Sequence, residues 1–141
     1  MLILPVQGAQ YAVAQYPHKL NVISVDRESP PEIKSNSKNH LQLDIDDLNQ
    51  DEPLHRQAAA ERGYRFATKE DILAAIDFAK KHKVHVIHCG AGVSRSPAIA
   101  YAIFRSQGMT KDAAMKAVMD INPYAEPNKW IVKLVDELFG Q

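Results

Sequence analysis

A single cysteine in 141 residues excludes an internal disulfide and any Cys-rich zinc site. Nothing in cysteine usage then points to an oxidising compartment. Excess charge of one sign is missing as well, because 17 basic and 17 acidic side chains cancel. That balance argues against a protein whose main task is gripping nucleic acid or an anionic membrane. No apolar run approaches the ~20 residues that cross a bilayer. The start, Met1 to Val6, is short and lacks the basic flank of a secretory signal. The expectation is a cytoplasmic protein with neither membrane nor nucleic-acid partner. Repeats, low-complexity tracts and interior linkers are also lacking, so residues 1–141 read as one domain. A chain of this length, 45% apolar and 24% charged, buries most of its apolar surface without a covalent or metal staple.

What is present alternates between strand and helix signals. Leu2–Pro5 and Asn21–Val25 are short apolar runs, with a weak helical pattern over Gly8–Tyr16 between them. Residues 26–39 are polar with paired prolines and read as a surface loop. Leu41, Leu43 and Ile45 alternate with polar neighbours, the period of a strand that ends at Asp46-Asp47. Ala58–Arg62 can be helical up to Gly63. Thr68 and Asp71 form a capping pair for a helix that buries Ile72, Leu73, Ile76 and Phe78. Val84–His88 is a β-branched run suited to a buried strand. Pro97 then suits a first helical residue before Ala98–Gln107, which Gly108 stops. Helices over Lys111–Asp120 and Asn128–Phe139 complete the chain. This order predicts an α/β protein with a central, mostly parallel sheet of about four or five strands flanked by helices.

The chemistry lies in His88-Cys89-Gly90-Ala91-Gly92-Val93-Ser94-Arg95-Ser96-Pro97, between a predicted strand and a predicted helix. In open α/β sheets the crevice at the carboxyl ends of the strands is where ligands bind. Two glycines let the backbone curl so that several N–H groups face one anion. The following helix adds its partial positive charge. Arg95 can hold two oxygens of a tetrahedral anion with one planar guanidinium. A thiol at the base of such a pocket is favoured as thiolate, and a thiolate beneath phosphorus is placed for in-line attack. Cys89 is therefore the expected nucleophile, and Gly90, Ala91, Gly92, Val93, Ser94 and Arg95 the expected phosphate cradle.

Other readings fit less well. Gly90-x-Gly92 begins a dinucleotide fingerprint, but Arg95 stands at the third glycine. No Gly-Lys-Ser/Thr follows for a nucleotide P-loop. A metal site from His82, His85, His88 and Cys89 meets the difficulty that His85 and His88 face opposite sides of a strand. An inert core cysteine is the bland alternative. The expected chemistry calls for neither metal nor cofactor.

The run His-Cys-x5-Arg-Ser resembles the signature of the cysteine-dependent protein tyrosine phosphatases, and the fuller loop is most similar to their dual-specificity branch. Gly108-Met109-Thr110, Ala113, Val118 and Pro127-Asn128 resemble that family's C-terminal half, and Leu43-x-Ile45-x-Asp47 its strand before the acid loop. The likeness covers about residues 40–139. It implies a phosphatase fold and hydrolysis of phosphate monoesters on protein, phosphotyrosine with or without phosphoserine and phosphothreonine. Cys89 would be the nucleophile, Arg95 the phosphate clamp, and His88 a hydrogen-bonding support for the thiolate. Ser96 would donate to the sulfur, and Asp47 would serve as general acid and then base. Asp44, Asp46 and Asp51 lie in the same stretch, with Asp46 and Asp51 the competing choices. The 42 positions from Asp47 to Cys89 exceed the family's usual gap, and the extra length falls in residues 48–67. Two other functions stay open: a phosphopeptide-binding module on the same scaffold, and rhodanese-type sulfur transfer. Low-molecular-weight phosphatases carry their loop near the N-terminus and fit poorly.

Overall fold

Four short segments rich in Val, Ile and Leu pair in parallel: β1 (Leu2–Pro5), β2 (Asn21–Val25), β3 (Asn39–Leu43) and β4 (Val86–Cys89). The computed structural model describes residues 1–140. The strand order is β1-β4-β2-β3. β4 is thus central, with Pro5 beside Cys89 on one flank and Ser24 beside His88 on the other. Every residue of β2 and β4 is buried, as expected for parallel strands covered on both faces. Among the described residues there are four strands, every pairing parallel.

Helices α1 (Val6–Gln15) and α2 (Pro31–Asn36) cover one face, where Ala9, Val13 and Ile33 pack on Val22 and Val86. The other face carries α4 (Lys69–Lys81), α5 (Arg95–Ser106), α6 (Lys111–Ile121) and α7 (Lys129–Phe139). There Ile23 and Ile87 from the sheet meet Ile72, Ile99, Tyr101, Ile103 and Ile131. Full burial of each such side chain is worth roughly 1.5–3 kcal/mol. Thr68 and Asp71 form the expected reciprocal cap of α4. Gly63, left-handed at φ 71°, ends α3 (Pro53–Arg62), a helix that buries none of its residues.

A polar tie crosses the larger core. Arg105 donates to the Asp136 carboxylate at 2.8 Å and to the Tyr101 hydroxyl at 3.0 Å, and Lys111 reaches the same carboxylate at 3.2 Å. Burial, then Asp136, pushes the Tyr101 phenol up to about 12. The tie locks α5 to α7, so the helix that opens at the cysteine loop has a fixed direction.

Several boundaries differ from expectation, among them α3, which starts at Pro53, and β4, which runs from Val86 to Cys89. Residues 26–39 contain α2, because Pro31 suits a helix start and Ile33 has an apolar site to fill. β3 stops at Leu43; Ile45 keeps its buried side but its N–H turns back to the Leu43 carbonyl. α5 begins at Arg95, two residues before Pro97. No helix among the described residues is long and apolar enough to cross a membrane.

Candidate active site

Parallel strands bring their carboxyl ends to one edge, and the chain leaves three of the four carrying a polar group. Asp26 follows β2, Asp47 follows β3, and Cys89 ends β4 and opens the glycine-rich loop. The loop carbonyls point outward because neighbours claim them. Gly90 accepts from Val6 N–H (3.0 Å), Gly92 from Asn122 Nδ2 (2.8 Å), Val93 from Glu126 N–H (2.8 Å) and Ser94 from Asn128 N–H (3.0 Å). With these carbonyls engaged by neighbours, the N–H groups of Gly92 and Ser96 turn to the Cys89 sulfur, and N–H groups gathered in this way favour an anion. Gly92 makes the tightest turn, at φ 76°, against the backbone of Leu4 and Pro5.

Cys89 is buried, 2% exposed. Its Sγ lies 3.2 Å from Ser96 Oγ and accepts from the N–H of Gly92 (3.3 Å) and, at longer reach, of Ser96 (3.5 Å). Two N–H donors and one hydroxyl thus converge on the sulfur from the loop and the first turn of α5. Ser94 stands just before α5 but does not cap it; its hydroxyl donates to Asp47 Oδ1 at 2.7 Å. Arg95 Nη1 donates to the Ile45 carbonyl (2.9 Å) and sits 3.6 Å from Asp26 Oδ1. That grip aims the guanidinium at the loop, with Nη2 close to Gly90.

Asp47 and Arg95 are brought together with Cys89, Ala91, Val93, Ser94 and Glu126 around a cavity of about 280 Å³. Of the aspartates near the end of β3, Asp47 is the one on this cavity. Asp46 pairs with Arg27 (3.2 Å) and accepts from Arg65 N–H (2.7 Å). Asp51 pairs with Lys133 (3.0 Å), and Asp44 points to solvent. His88 lies fully buried beneath the loop, 2.6 Å from Ser24 Oγ through Nε2 and 3.4 Å from the Cys89 carbonyl through Nδ1. Burial holds its imidazole below the usual histidine range, with Arg95 adding to the effect.

No protein-family model matches the sequence, and no curated protein does. Solved structures do match. Human DUSP28 superposes with a TM-score of 0.65 at 18% identity, over 98% of this chain and 90% of that one. A mouse dual specificity phosphatase, described as putative and complexed with zinc tungstate, gives 0.62 at 19%, over 94% and 77%. PTPMT1 in complex with PI(5)P gives 0.63 at 16%, over 96% and 86%. This chain has the dual-specificity phosphatase fold. At such identities the likeness is one of architecture.

Within that phosphatase fold, several residues at the site had no sequence signal of function. Asn128 caps α7 through the Ile131 N–H (2.9 Å) while its Nδ2 reaches Asp47 Oδ1 (2.8 Å) and the Leu48 carbonyl (3.1 Å). An Asn before an apolar helix is itself a cap signal, but its second task needs the tertiary structure. Glu126 at the cavity mouth and Asp26 behind Arg95 were likewise missed. The extra residues 48–67 form the 48–52 turn and α3, where His55 Nδ1 accepts from Asn49 N–H at 2.9 Å. They wall a second cleft of about 540 Å³ that shares Asp47, Ser94 and Glu126 with the first.

Proposed function

We propose that the protein hydrolyses phosphate monoesters on proteins through a phosphocysteine intermediate, with phosphotyrosine as the main substrate and phosphoserine and phosphothreonine as further ones. The observation that carries this reading is the convergence of Cys89, Arg95 and Asp47 on one cavity, with the Gly92 and Ser96 N–H groups turned to the sulfur. Phosphate would sit on the loop, its equatorial oxygens held by those N–H groups and by the edge of Arg95 that Ile45 does not occupy. The Cys89 thiolate attacks phosphorus, the P–O bond to the substrate breaks, and Asp47 gives its proton to the departing oxygen. Water then attacks the phosphocysteine, Asp47 takes its proton, and the sulfur leaves as thiolate with Ser96 Oγ donating to it.

Asp47 favours this chemistry over sulfur transfer, which requires no acid above the thiol. Asp47 and Glu126 at the cavity also disfavour multiply phosphorylated lipid headgroups, since an added phosphate beside them would meet a carboxylate. The loop between Cys89 and Arg95 holds no lysine to offset them. The retained Cys89 and Arg95 argue against a binding module without turnover.

Hydrolysis of an aryl phosphate tests the reading. Turnover across about pH 4 to 8, unaffected by a chelator and abolished by Cys89→Ser, is expected. Asp47→Asn should slow it about a hundredfold or more, most on poor leaving groups, whereas Asp46→Asn and Asp51→Asn should not share that leaving-group dependence. Folded wild type that binds phosphotyrosine peptide without turnover would overturn the proposal.

A further inference from the structure

A chain of polar side chains crosses the sheet beneath the cysteine loop. Ser24 on β2 sits beside His88 on β4, and its Oγ lies 2.6 Å from His88 Nε2. On the other side the same Oγ lies 2.8 Å from His40 Nε2 on β3. Ser24 and His88 are fully buried. His40 is half-buried, at the inner end of an open cavity of about 440 Å³ that Ser29, Lys34 and Gln42 also line. The chain therefore runs from the solvent side of β3 to the backbone of the nucleophile.

Only one assignment of protons satisfies every contact in it. The Cys89 carbonyl can only accept, so the 3.4 Å approach of His88 Nδ1 requires the proton on that nitrogen. Burial keeps His88 neutral, which leaves Nε2 bare and makes it the acceptor of the Ser24 O–H. The hydroxyl has one proton, now spent, so at 2.8 Å it can only accept. His40 must then present Nε2–H. We propose that His40 is a positioning residue for the nucleophile: through Ser24 it locks His88 in the Nδ1-protonated tautomer, which holds the Cys89 carbonyl at the root of the loop. The opposite tautomer would set a nitrogen lone pair against the carbonyl oxygen and loosen the first residue of the cradle. Imidazole tautomers are set by the bond the far nitrogen makes, and here that bond is itself fixed one residue further out.

The kinetic part rests on the phosphatase reading above; the tautomer part stands without it. Nitrogen-15 spectra of the full chain, labelled at histidine, should show His88 with a protonated Nδ1 and a bare Nε2. In His40→Phe and in Ser24→Ala the two nitrogen resonances should move toward each other as the tautomers mix. His40→Gln keeps an N–H donor within reach of Ser24 and should restore the wild-type pattern. With para-nitrophenyl phosphate, His40→Phe should lower kcat about threefold to tenfold, the worth of one neutral hydrogen bond, with KM unchanged and His40→Gln recovering it. Circular dichroism confirms that each variant is folded; should His40→Phe not fold, Ser24→Ala carries the same comparison. A bare Nδ1 on His88 in wild type, or a His88 spectrum unmoved in His40→Phe and Ser24→Ala, overturns the proposal. An absence of turnover with the expected tautomer pattern would sink the phosphatase reading and leave the role of His40 in place.

Discussion

Gly92 takes a left-handed turn, φ 76°, with no room for a side chain: a Cβ there would lie 2.7 Å from the Leu4 carbonyl carbon and 2.8 Å from Pro5 N. The backbone conformation alone costs an alanine about 1–2 kcal/mol, and the contact falls on backbone that β4 pairing holds in place. Gly92→Ala should therefore lower stability by at least that amount and displace the N–H that donates to Cys89. Gly90 makes the useful contrast. Its added Cβ would meet only Arg95 Nη2, at 3.5 Å. Gly90→Ala should unfold at nearly the wild-type urea concentration, because that distance is an ordinary contact. Equal stability in the two variants would mean that the loop can shift away from β1.

At the scale of elements, the segment before α7 does for the site what the loop cannot do for itself. It occupies loop carbonyls through Asn122, Glu126 and Asn128, and it ties Asp47 down through Asn128. Two tasks of one side chain can be separated by substitution. Asn128→Ala removes the cap, at about 1 kcal/mol, and takes one of two side-chain donors from Asp47, leaving Ser94. Asn128→Ser restores a capping oxygen but is too short to reach Asp47. Stability should recover in the serine variant while turnover stays about tenfold low, a loss on the scale of a hydrogen bond to a charged group. Full recovery of turnover would reduce Asn128 to a helix cap. The same element shows what a sequence carries openly. That Cys89 and Arg95 share one cavity was legible because one short loop holds cysteine, glycines and arginine together. The period of β3 and the cap of α4 were legible because they are local. Asp47 was favoured over Asp46 and Asp51 without a sight of the ion pairs that hold those two, because Arg27 and Lys133 arrive from elsewhere in the chain. The start of α5 was misplaced because Pro97 signals a first turn without fixing its first residue. His40 could not be linked to His88 before the order β4-β2-β3 was known, because crossovers, not neighbouring residues, set that order.

For the whole molecule, that polar chain through the sheet has a thermodynamic consequence. Burial, then His88, then Lys34 bring His40 down to about 4. Burial also lowers His88 and, with Lys83 nearby, His85. Asp77 and Lys81 of α4, with His82 just past its end, line a second cavity together with His40. In the unfolded chain these histidines protonate near ~6.5. Between that value and about 4 the unfolded state holds protons that the folded state refuses. Stability then rises with pH, since the slope follows the excess of protons on the unfolded chain. Acidification from neutrality should thus weaken the fold first through the histidines. The effect begins near pH ~6.5, before the ordinary carboxylates at ~4 begin to protonate, and the share owed to His40 is complete by about pH 4. Urea midpoints measured from pH 7 to 5 should fall steadily in wild type. The fall should be shallower in His40→Gln, which removes one titrating group while keeping the donor to Ser24. A wild-type midpoint that stays level over this window would mean that the interior accepts the charge, as water entering the cavities beside β3 would allow.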